Sequence, residues 1–142
     1  MGRTACLALL TAVVGMPTLS LSTAAAHSTQ GRGAASPEAR CAAALSRVQR
    51  SGLLLPAGFE YRCPGDTSSF VGDSQRWGVT CFYHQTFCPN GAYIAVNPAR
   101  VGPSDARLRY VVAHEIGHAI DYVTMGFTTE QSAHARARAA GF

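Results

Sequence analysis

The stretch Val111-Val112-Ala113-His114-Glu115-Ile116-Gly117-His118-Ala119-Ile120-Asp121 constrains the chain more than any other. Val112, Ile116, Ala119, Ile120 and Val123 recur at the spacing of a helix with one apolar face, so this segment is expected to lie against a core. On a helix, residues four apart stand one above the other, about 6 Å apart. His114 and His118 can therefore aim two imidazoles at one metal ion. Glu115 projects about 100° round from His114, within reach of a water held on such an ion. One histidine on an apolar helix is ordinarily just a core or surface residue. Two with a glutamate between them form H-E-x-x-H, whose helical context is the one metal-assisted hydrolysis needs.

The rest of the chain must supply the layers that bury this helix. Residues 1–26 read as a secretory signal, with Arg3, an apolar run from Ala5 to Met16 and Ala24-Ala25-Ala26 before His27. The run is too short for a membrane-spanning helix. Taking 26 from the 142 residues leaves 116, enough for one small domain. Cys41, Cys63, Cys81 and Cys88 remain after the signal, and an even set in a short exported chain favours two disulfides. The local pairings Cys41–Cys63 and Cys81–Cys88 are expected. A four-cysteine zinc site lacks its close C-x-x-C pairs.

All twelve basic residues are Arg, against eight acids. The mild positive excess could favour anionic surfaces such as cell-wall polymers. With no basic run interleaved by aromatics, nucleic acid is not an expected partner. After removal of the signal, no remaining stretch is apolar enough for a membrane.

Residues 27–37 are rich in Ser, Gly and Ala and predict a flexible tail before a domain over 38–142. Glu38 to Ser51 predicts a first helix capped by Ser36, with Pro37 at its first position and the stripe Cys41, Ala44, Leu45 and Val48. Short strands are expected around Phe59–Tyr61, Trp77–Tyr83 and Ala92–Val96, the last two as a hairpin turning at Pro89-Asn90-Gly91. Asn97 to Pro103 reads as a connector. Ser104 or Asp105 then caps the central helix, Gly126 stops it, and Thr128 or Thr129 caps a last helix over Glu130–Ala140.

A catalytic zinc keeps three protein ligands and leaves a position to water, whose proton a nearby carboxylate takes. Glu115 would be that general base. Three residues are open as third ligand. Asp121 shares the helix face of both histidines but is strung too far along it to converge well, which favours it as a carboxylate holding an imidazole or an Arg. Glu130 opens the last helix, where an acid is also favoured by the helix dipole. His134 would stand level with His118 in a simple antiparallel hairpin. Tyr122, Tyr83, His84 and Arg136 are candidate oxyanion donors, and Ala92–Val96 is a candidate substrate-pairing strand.

Ala113 to Asp121 resembles the active-site helix of zincin metallopeptidases, and Glu130-x-x-Ala133 is similar to the third-ligand segment of the gluzincins. The likeness covers roughly Ala92 to Phe142; more loosely, the mature chain resembles small exported proteins of high-GC bacteria. It implies a small α+β zincin-like domain, with an antiparallel hairpin or sheet, an active-site helix and a closing C-terminal helix. It further implies His114, His118 and Glu130 as Zn2+ ligands and Glu115 as base, acting on a peptide or protein substrate. Two departures stand out: His134 occupies the place of the gluzincin Asp, and the gap from His118 to Glu130 is short. The rival expectations are a non-catalytic, disulfide-stapled binding module and a zinc hydrolase with a non-peptide substrate.

Overall fold

The computed structural model describes residues 34–64, 75–82 and 91–142. The expected signal segment, most of the tail, and Tyr83, His84 and Cys88 lie outside them. The chain is α+β, with four helices and three short strands among the described residues. Ser36 caps the first helix, α1 (Pro37–Arg50), by accepting the Ala39 amide at 3.2 Å, and Pro37 takes the position where a missing N–H costs nothing. Cys41, Ala44 and Val48 form its buried stripe. The Cys41–Cys63 disulfide, with Cα atoms 6.3 Å apart, fastens α1 to the end of β1 (Glu60–Arg62).

Strands β2 (Gly78–Cys81) and β3 (Tyr93–Val96) pair antiparallel, with Cys81 opposite Tyr93 and Gly78 opposite Val96. The sheet is mixed rather than antiparallel throughout, because β1 pairs parallel to β3 in the order β1-β3-β2. This places β3 in the centre. Tyr93, Ile94, Ala95 and Val96 are all buried, so the candidate substrate strand is not an edge. An apolar residue at every position demands cover on both faces, which only the middle of the sheet supplies. Among the described residues, β2 is the edge beside the long helix.

A one-turn helix absent from the sequence reading, α2 (Pro98–Val101), is capped by Asn97. Then α3 (Asp105–Met125) runs from its Ser104 cap to Gly126, which closes it in the left-handed conformation. α4 (Glu130–Ala139) starts from a capping box made by Thr129 and Ser132.

The core joins Cys41, Ala44 and Val48 of α1, Ile94 and Val96 of β3, and Leu108, Val112, Ile116 and Ala119 of α3. α3 is covered on more sides than a single stripe predicts, since Val111 and Ala113 are buried as well. Its final turn is the exception: Val123 is 52% exposed rather than buried. No helix among the described residues is long and apolar enough to cross a membrane.

Candidate metal centre

The candidate metal cluster is built where α4 crosses α3. Gly117, inside the H-E-x-x-H turn, meets Ala133 so closely that a Cβ there would lie 3.0 Å from the Ala133 Cα and 3.1 Å from its carbonyl oxygen. Glu130, one turn before Ala133, is thereby carried onto the two imidazoles. His114 Nε2 stands 3.0 Å from His118 Nε2 and 3.1 Å from Glu130 Oε2, and His118 Nε2 is 3.7 Å from Glu130 Oε1. Ligands held about 2.0–2.1 Å from a tetrahedral zinc are separated by about 3.3 Å. The His114–His118 and His114–Glu130 separations lie within a few tenths of an ångström of that value, and His114, His118 and Glu130, each offering one donor atom within 4.8 Å of the others, form a group that could hold a metal ion.

Protonation suits the same use. Burial, then the neighbouring His118 and His134, push His114 down to about 4, against the opposing pull of Glu130. Burial also lowers His118, with Glu130 and Asp121 opposing. Both rings are thus biased towards the neutral form, which is the ligand form. His118 Nδ1 lies 2.7 Å from Thr128 Oγ1. An Nδ1–H donated to that hydroxyl leaves the Nε2 lone pair directed at the cluster. His114 Nδ1 is buried without a hydrogen-bond partner among the described residues.

Glu115, the next residue along α3, is turned towards β2. It is 6% exposed, and a Cβ on Gly78 would come within 2.5 Å of its Oε1, so only glycine leaves room for the carboxylate. Thr80 Oγ1 lies 2.7 Å from Glu115 Oε2 and 3.0 Å from the Glu115 carbonyl oxygen. Its single proton serves one acceptor at a time. Burial pushes the Glu115 carboxyl up to about 7; the Glu130 charge adds to this, while the Thr80 hydrogen bond and the Arg76 guanidinium oppose it. A carboxylate poised near neutrality is suited to taking up a proton.

Glu115 and Glu130 both border a cleft of about 460 Å³, whose walls include Arg76, Trp77, Tyr110 and His134. A second cleft, of about 200 Å³, lies on the β2 side and is bordered by Val79, Phe82, Thr128 and the same two glutamates. The two clefts share Arg76, Gly78, Glu115 and Glu130.

Of the candidate third ligands, only Glu130 brings a donor atom into the cluster. Asp121, 1% exposed, is turned to Arg136, whose Nε is 2.5 Å from Oδ1. His134 is not level with His118; it packs on His114 with ring centroids 4.3 Å apart, and its Nδ1 meets the Tyr110 hydroxyl at 2.5 Å. Arg136 is engaged by Asp121 through Nε, and the Tyr122 ring stacks on Phe82 with centroids 4.0 Å apart.

Sequence reasoning missed Thr80, Thr128, Tyr110 and Arg76. Gly78 carried a usable signal, since an isolated glycine opening a strand marks a close approach. The others are ordinary residues until the fold brings them to the site. No family model, no curated protein and no solved structure matches the chain.

Proposed function

We propose that this chain is an exported zinc-dependent peptidase of the H-E-x-x-H type, a small gluzincin-like zincin. His114, His118 and Glu130 would hold the ion and Glu115 would act as general base. The observation that carries the reading is the pairing of a cluster at zinc-ligand spacing with a buried carboxylate, on the next residue of the same helix, held against an edge strand. A structural metal site alone gives no reason for burying that acid. When bound, zinc would supply a Lewis acid that polarises a carbonyl and lowers the pKa of water towards 7.

The chain's own residues do the rest. An extended peptide would lie along β2, passing between the two clefts that share Glu115. Glu115 takes the proton of the attacking water and returns it to the leaving amine. Thr80 holds the carboxylate still through this exchange. Tyr110 and His134, joined to each other in the cleft wall, would serve as donors to a developing oxyanion. Export follows from the signal-like residues 1–26 and agrees with the Cys41–Cys63 disulfide. The partner is a peptide or protein substrate, rather than nucleic acid or membrane.

The test uses residues 27–142 refolded with zinc. About one zinc per chain is expected, with cleavage of an unfolded protein substrate that Glu115→Gln abolishes while keeping the metal. Metal binding without cleavage in either form would favour the binding-module reading.

A further inference from the structure

We infer that the buried Asp121–Arg136 ion pair seats α4 on α3 in the register that brings Glu130 to the two imidazoles, which makes Asp121 and Arg136 positioning residues for the third metal ligand. The inference rests on the metal site proposed above.

Beyond the contacts of His134 with Tyr110 and His114, the packing of α4 does little to fix its register. Its buried residues are Ala133 and Ala137, and the surface it meets at Ala133 is Gly117. Interlocking side chains set the register between helices, and alanine against glycine offers none. Such a smooth contact permits close approach but also permits sliding.

Asp121 adds a buried ionic contact to those of His134. It is 1% exposed, and Arg136 Nε meets its Oδ1 at 2.5 Å from a half-exposed position on α4. Sliding α4 by one turn, about 5.4 Å, would leave this buried carboxylate without its cation, which is strongly unfavourable. The same slide would carry Glu130 out of reach of His114 and His118, from which it now stands 3.1 and 3.7 Å. Fixing register is the best-attested use of a buried ionic pair. Glu130 cannot do this for itself in the metal-free chain. Its side chain is 78% exposed, so its contacts with the two imidazoles lie at the solvent edge. Thr128, which orients His118, sits in the turn that the same seating fixes.

Co2+ titration of residues 27–142, followed by visible absorption, reads affinity and coordination together without any activity assay. Asp121→Asn and Arg136→Gln should each weaken Co2+ binding by about 10–100-fold and shift the absorption towards that of Glu130→Gln. Arg136→Lys, which keeps the charge, should recover most of the loss. In a Glu130→Gln background neither substitution should weaken binding further, because the residue they act through is already gone. An equal loss in that background would overturn the inference, as would a lower melting temperature with unchanged Co2+ affinity and spectrum. Should Asp121→Asn fail to fold, the half-exposed Arg136 and its Lys variant decide the matter by the same readings. Absence of Co2+ binding in the parent chain would overturn the metal reading itself, and this inference with it.

Discussion

Glu115 and Glu130 border the same cleft, yet the fold holds them in opposite ways. Glu115 is walled in by β2, with glycine opposite its carboxylate and a threonine hydroxyl on one oxygen. Glu130 is largely exposed, on a helix that touches the core through alanines. The first acid is kept by packing and pushed up to about 7. The second is delivered by docking. An acid that must exchange a proton gains from a desolvated, rigid setting. An acid that must stay ionised to bind a cation gains from solvent nearby. The difference predicts that changes on the β2 side alter turnover, while changes on the α4 side alter metal affinity.

The largest effect should come from the base. Glu115→Gln should lower kcat by about 10²–10⁴-fold with zinc content unchanged, measured by steady-state kinetics beside metal analysis. The two acids are not interchangeable. Glu130→Ala should weaken zinc binding by more than about 100-fold, since even an orienting partner of a ligand is worth 10–100-fold; a chromophoric chelator in competition would read it. Equal effects of both substitutions on both readings would break the comparison.

The two glycines sharpen it at smaller amplitude. Gly78→Ala puts a Cβ against Glu115 Oε1 and should reduce kcat without loss of metal, whereas Gly117→Ala presses on the Ala133 backbone and should loosen metal first. Each should also cost about 1–3 kcal/mol of stability by overpacking, measured by denaturant unfolding.

The smallest expected effect is a pH dependence in the metal-free chain. His114 falls from 6.5 to about 4 on folding, so the unfolded state binds more protons between those values, and this contribution to stability is lost as pH falls through that window. Glu115 rises from 4.5 to about 7, so its contribution is full below 4.5 and lost as pH rises through 7. The two oppose each other, while His118, also lowered by burial, adds to the loss on acidification, so the stability of the parent chain should fall only gently between pH 6.5 and 4.5. Metal-free Glu115→Gln should instead lose on the order of 1–3 kcal/mol on acidification across that range. Urea unfolding at a series of pH values would show it, and a parallel profile for both proteins would contradict the opposition.

The same contrast explains what the sequence made legible. His114, Glu115 and His118 could be read because helical spacing alone brings them together. The caps at Ser36 and Ser104 and the stop at Gly126 were legible for the same local reason. Glu130, Asp121 and His134 were left open because their distances depend on how α4 crosses α3, which no local pattern states. The crossing is set by Gly117 against Ala133, two residues of low information in a chain rich in both. Val123 was misassigned because the spacing that predicts a buried stripe cannot tell where the covering layers end. The central place of β3 was readable in its unbroken apolar run, but the parallel partner β1 is long-range in sequence and left no signal.

The account depends most directly on one cation being gripped by α3 and α4 together, with Glu115 beside it and not among its ligands. Extended X-ray absorption of the zinc-loaded chain, recorded on the parent and on Glu115→Gln and Glu130→Ala, tests this. The account predicts two imidazoles and at least one carboxylate oxygen on the metal, an unchanged spectrum for Glu115→Gln, and loss of an oxygen ligand or of the metal for Glu130→Ala. A shell without histidine nitrogen, or one altered by Glu115→Gln and indifferent to Glu130→Ala, would contradict it.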